Sequence, residues 1–307
     1  MNPAKIVVHK IQGDAATVCQ TLLKGMVIGL VTGGLITGCA TSSNNKWFAE
    51  NGKNAVLGEV MKRKDRILQL SPQETSGKKP VLLLLHGATD DPTEMMDIVS
   101  EWSGKYDVYL YAYNYHSPVE KVASDFLSEM KRIESENRFG DSATIVVYSY
   151  SAIVFREAVI IADDRSLFSG VSLVQLVPTA GGSQLASGMK NPFTAWLVSL
   201  VSKSSRAENP YGSFAEQIWD GDGNRKFYEV IHPEQVHTIL LEDDVHSLAQ
   251  TADKKVRERY QNGIGPNVVV IPKSAGVTHD YFPTNPVALG YLRKYLERPQ
   301  YIITARN

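Results

Sequence analysis

The sequence predicts an α/β fold with a mostly parallel central sheet. Three observations carry this. Short, uniformly apolar runs recur along the chain. The segments between them carry helical periodicity. Small and polar residues that can bear chemistry cluster just past the ends of those runs. At 307 residues and 43% hydrophobic content the chain is long enough to enclose a substantial core.

The first long run is Pro80 to Leu85, closed by His86-Gly87. A run with no polar alternation suits a strand buried on both faces. Tyr106–Tyr113, Thr144–Tyr148, Val171–Val177, His237–Leu241 and Val268–Ile271 repeat the pattern. Among the intervening helices the clearest begins at Ser117. Val119, Val122, Ala123, Phe126, Leu127, Met130 and Ile133 fall on one face, Ser117 caps, Pro118 takes the first helical position and Glu120 completes a capping box. Further helices are expected at 154–163, 247–261 and 286–297. Residues 56–70 suggest a hairpin entering the domain.

Before the domain, residues 25–38 form an uncharged apolar stretch that follows Lys5, Lys10 and Lys24 and ends in Ile36-Thr37-Gly38-Cys39. Basic residues, a short apolar run and small residues are the plan of a secretory signal, and the run is short for a membrane span of about 20 residues. The ending resembles the bacterial lipobox. That resemblance implies removal of residues 1–38, a lipid on Cys39, and attachment to the cell envelope, at the outer membrane given Ala40. Residues 39–55 then serve as a polar tether, and residues 56–300 as the folded domain. The two cysteines, Cys19 and Cys39, both precede that domain, so it holds no disulfide framework. Net charge is -1 with no basic stripe, which argues against a nucleic-acid partner.

Chemistry gathers at the ends of the runs. After the third comes Ser149-Tyr150-Ser151-Ala152-Ile153 and then a helical pattern, the strand–turn–helix of a nucleophile elbow. Read with Ser151 as nucleophile, Ser149 supplies the small residue two before, while Ile153 stands where glycine is usual. Ser149 is the rival nucleophile, set lower because Val147, two before it, belongs to the strand core. The competing reading of Ser151 is a helix N-cap. Past the first run, Gly87 permits a tight loop from which the N–H of Ala88 pairs with that of Ala152 to hold an oxyanion; each such donor is worth about 3–4 kcal/mol in the transition state. His86 reads as structural. Of seven histidines, His279 in the loop after the last run is placed best as a base. The acid follows the fifth run: Asp243 is favoured, Asp244 the alternative.

From about residue 80 to 297 these segments, LLLLHGA, VVYSYSA, HTILLEDD and GVTHD, resemble the α/β-hydrolase superfamily on its lipase, esterase and thioesterase side. The order Ser, Asp, His is the order of that superfamily. The resemblance implies an α/β-hydrolase fold, a mostly parallel sheet flanked by helices, and a serine hydrolase acting on acyl esters or lipid-like small molecules without a cofactor or metal. LVPTAGGSQLA resembles the segment preceding a mobile cap, here spanning residues 183–236. Phe193, Trp196, Leu197, Leu200 and Val201, with Phe214, Ile218, Trp219, Phe227 and Tyr228, supply its apolar area, as a lid or as packing on the sheet. Asp220-Gly221-Asp222-Gly223-Asn224 lacks the glycine and glutamate of a calcium loop and reads as a turn. The same machinery serves a thioesterase, amidase or acyltransferase. Ile153 at the elbow also admits a non-catalytic, hydrolase-like binding lipoprotein.

Overall fold

A computed structural model describes residues 65–71, 79–88, 92–115, 117–135, 143–179, 221–242, 244 and 264–297, all within the compact unit Asn44–Asn307. Cys39, Asp243, the 247–261 segment and most of 183–236 lie outside the described residues.

Seven strands form one sheet: β1 (Arg66–Gln69), β2 (Val81–Leu85), β3 (Asp107–Ala112), β4 (Ala143–Tyr148), β5 (Val171–Leu176), β6 (Val236–Leu241) and β7 (Asn267–Ile271). Their spatial order is β1-β3-β2-β4-β5-β6-β7. β2 to β7 run parallel, and β1 is antiparallel to β3. The helices are α1 (Met96–Trp102), α2 (Val119–Ser135), α3 (Ser151–Ile161), α4 (Gly221–Tyr228) and α5 (Pro286–Leu296). No helix among the described residues is long and apolar enough to cross a membrane.

The uniform apolar runs are explained by two cores, one on each face. Leu83 and Leu85 of β2 join Ile145, Val147, Val122, Phe126 and Phe155 on the side of α2, α3 and α4. Leu82 and Leu84 join Val146, Val99, Trp102 and Leu292 on the side of α1 and α5. Burying each such leucine contributes about 1.5–3 kcal/mol, so both faces of the strand must be apolar. The sequence-predicted face of α2 is buried at all seven positions.

Two expectations change. Of the hairpin expected over 56–70 only residues 65–70 are described, and there Arg66–Gln69 pairs with the distant β3. The outer edge of this strand is closed by α2: Glu129 accepts from the Ile67 N–H (3.0 Å) and Arg132 donates to its carbonyl (3.1 Å). The expected turn at 220–224 gives way to a helix, since α4 begins at Gly221. Phe227 of that helix is fully buried against Phe155 and under the Arg156 guanidinium, 4.1 Å from its ring, so it packs on the sheet layer rather than in a lid. Burial pushes Arg156 down to about 10.

Candidate active site

The parallel strands end on one side of the sheet, where open α/β folds place their sites. β4 stops at Tyr148 and α3 starts at Ser151, so two residues make the whole turn. Ser149 takes a left-handed conformation, φ 53°, which a non-glycine residue adopts at a cost of about 1–3 kcal/mol. The turn is held by its own backbone: Ser149 N–H donates to Leu176 (2.9 Å), and the Ser149 carbonyl accepts from Ala152 (3.2 Å) and Thr179 (3.4 Å).

Ser149 Oγ lies 2.7 Å from Nε2 of His279, and Nδ1 of the same ring lies 2.8 Å from Oδ2 of Asp244. The carboxylate can only accept, so Nδ1 carries the proton and Nε2 accepts from the serine hydroxyl. Both His279 and Asp244 side chains are nearly enclosed, 9% and 3% exposed. Asp244 follows β6, and His279 opens a short 3-10 turn, His279–Thr284, beyond β7.

The structure does not bring Ser151 to His279. Its hydroxyl is completely buried; it accepts from the Tyr148 N–H (2.8 Å) and faces the carbonyls of Leu85 (2.9 Å) and Tyr148 (3.0 Å). Ser151 therefore ties the end of β2 to the end of β4. It is not the N-cap either, a position Tyr150 holds. The cause of the correction is where the strand ends. A serine in an elbow must follow the strand directly, and Ser149 does; Ser151 is already in the helix. Strand core and elbow overlap at Val147, which is the residue that misdirected the sequence reading. Around Ser149 the residues two before and two after are Val147 and Ser151, and Ile153 lies outside that stretch.

Ala152 is likewise corrected as an oxyanion donor, because its N–H is spent inside the turn on Ser149. At the end of β2 the loop is tightly specified. Gly87 N–H donates to Glu94 Oε1 (2.8 Å), and the Gly87 carbonyl accepts from His86 Nδ1 (2.9 Å). Nε2 of His86 accepts from Tyr113 N–H (3.2 Å), which fixes the neutral tautomer. The carbonyl of Gly87 and the N–H of Ala88 share one trans peptide, so the Ala88 N–H points away from His86. His86 is structural, as expected, and its task is to set that peptide. Asp244 occupies the place expected first for Asp243. Among the described residues no cluster of His, Cys, Asp and Glu could hold a metal ion.

No family model and no curated protein matches the sequence. Solved structures do resemble it. The mature form of Bacillus licheniformis lipase BlEst2 aligns with a TM-score of 0.50 at 12% identity, covering 76% of this chain and 99% of that one. Esterase B from Lactobacillus rhamnosis gives 0.48 at 12% identity, covering 82% and 93%. Carboxylesterase CesB from Bacillus subtilis gives 0.42 at 13%, covering 78% and 96%. At this identity the likeness to BlEst2 speaks to architecture alone. With the parallel seven-stranded sheet, it establishes the α/β-hydrolase fold.

Proposed function

We propose that this chain is a serine hydrolase of carboxylic esters, with Ser149 as nucleophile, His279 as general base and Asp244 as the acid that orients it. The observation that carries the reading is the continuous relay from Ser149 Oγ through His279 to Asp244, anchored on a strained residue at a strand end. Ser149 attacks the acyl carbonyl while Nε2 of His279 takes its proton. Asp244 holds the imidazole by Nδ1–H and stabilises the imidazolium that forms. The N–H of Tyr150, next after the nucleophile, and that of Ala88 receive the oxyanion. His279 returns the proton to the departing alkoxide, and water then releases the acyl group by the reverse sequence. The fold shared with the lipase BlEst2 supports acyl esters as the substrate class.

A fluorophosphonate probe with a panel of short and long acyl esters and thioesters tests this. Labelling and turnover that fall by orders of magnitude in both Ser149→Ala and His279→Ala, to a residual level with activated aryl esters in the latter, are expected. Wild-type turnover in either variant refutes the assignment, and a thioester preference would move the substrate class. We also propose that Cys39 carries a lipid anchor at the bacterial envelope, on the strength of the apolar run ending in Ile36-Thr37-Gly38-Cys39. Cys39→Ala should then move from the membrane to the soluble fraction; a variant still recovered with membranes refutes the anchor.

A further inference from the structure

We propose that Tyr148, the residue before the nucleophile, is a positioning residue for His279; this rests on the reading of Ser149, His279 and Asp244 given above. Tyr148 is the last residue of β4, paired with Leu176 of β5, so its backbone is fixed by the sheet. Its N–H is held by the buried Ser151 hydroxyl. Tyr148 is 3% exposed.

At its far end the phenol donates to the backbone carbonyl of His279. Its ring lies beside the imidazole, 5.7 Å between centroids and tilted by 34°. The same ring fills the space above Gly87: a Cβ there would stand 3.0 Å from both Cδ1 and Cε1 of Tyr148. One side chain thus touches the loop that carries the base and the loop that carries Ala88, while its own backbone continues into Ser149. Burial, and after it the carboxylates of Glu94, Asp280 and Asp244, hold the phenol well above its ordinary range, so it stays protonated and able to donate.

A displacement of about 1 Å in a catalytic group can cost on the order of 100-fold in rate. Removing the hydroxyl that donates to the His279 carbonyl is a partial release. Tyr148→Phe is therefore expected to lower kcat by roughly 10- to 100-fold while KM stays within about two-fold and the melting temperature is nearly kept. Fluorophosphonate labelling should slow by the same factor. In a His279→Ala background, where only residual turnover of an activated aryl ester remains, Tyr148→Phe should have no further effect.

Wild-type kcat in Tyr148→Phe overturns the proposal, and so does an equal loss in both backgrounds. Should Tyr148→Phe fold poorly, Gly87→Ala pushes on the same ring from the other side. A part of its rate loss should vanish in the His279→Ala background; a loss that persists there in full overturns the proposal. Ester hydrolysis at the native rate in Ser149→Ala or His279→Ala would instead sink the reading of the site. Inactivity of those two variants with native kcat in Tyr148→Phe sinks only the role of Tyr148.

Discussion

Two serines, two positions apart, have opposite tasks in the proposed relay, and their alanine variants separate those tasks. Ser149→Ala removes one hydroxyl from the relay with His279, and its φ of 53° is strained for serine and alanine alike. Stability should therefore move little, while removal of a nucleophile costs about 10⁵- to 10⁶-fold in kcat. Ser151→Ala acts the other way. It leaves the Tyr148 N–H and the Leu85 carbonyl in the protein interior without the oxygen that joins them. Each such buried group deprived of its partner costs about 1–3 kcal/mol, so a loss of about 2–6 kcal/mol is expected for the two. For a domain of this size that lowers the melting temperature by about 4–24 °C. The ends of β2 and β4 are loosened together, so kcat should fall too, by about 10-fold rather than by orders more, since the nucleophile is retained. The assay is thermal unfolding of both variants beside steady-state turnover and fluorophosphonate labelling. A Ser151→Ala protein that melts like the wild type but no longer labels would refute the assignment, and a fully active Ser149→Ala would refute it more directly.

The acid is tested in the same way. Asp244→Asn keeps the shape but loses the negative charge and can present an amide N–H to Nδ1, favouring the wrong tautomer of His279, so kcat should fall by about 10⁴-fold, whereas Asp243→Asn should change kcat by less than about 10-fold; equal effects would remove Asp244 from the relay. Phe227 of α4 is fully buried beside Phe155 and Arg156, and Phe227→Ala should cost about 3–5 kcal/mol of stability, read as a clearly lower melting temperature; an unchanged one would return residues 221–228 to a lid. Glu157 on α3 is held above the ordinary carboxylate range by burial and then by Glu120, with Lys226 opposing. The folded state therefore binds that proton more tightly than the unfolded one, and stability is lost as pH rises from the usual glutamate range through the raised value. Glu157→Gln abolishes the titration, so its melting temperature should gain on the wild type as pH rises through that window and stay ahead at neutral pH; a difference independent of pH would show that the charge is fully compensated.

The fold was legible because its signal is repeated. The runs of β2 to β5 each have to satisfy two faces, and a strand buried on both sides tolerates no polar alternation, so they stand out one by one, while β7 at the sheet edge is apolar although Val268 and Val270 are exposed. β1 carried no such mark: four residues at a sheet edge, closed by Glu129 and Arg132 of a helix more than sixty residues on, leave nothing local to read. The site was legible as a set of places and less so as a set of atoms. His279 follows from the loop after the last strand, but the choices of Ser149 over Ser151 and of Asp244 over Asp243 turn on where a strand stops, to within a residue or two. Ser149 is the left-handed residue of the turn and Ser151 already the first residue of α3, so an error of that size swaps a hydroxyl beside His279 for one buried between strand ends. Ser151 looked catalytic because it is small and polar beside a strand end. Those are the properties required of a residue that holds Tyr148 N–H and Leu85 C=O together at the base of the elbow. The direct cue lay in the strand boundary itself: β4 ends at Tyr148, and the residue that must turn sharply is the next one, Ser149.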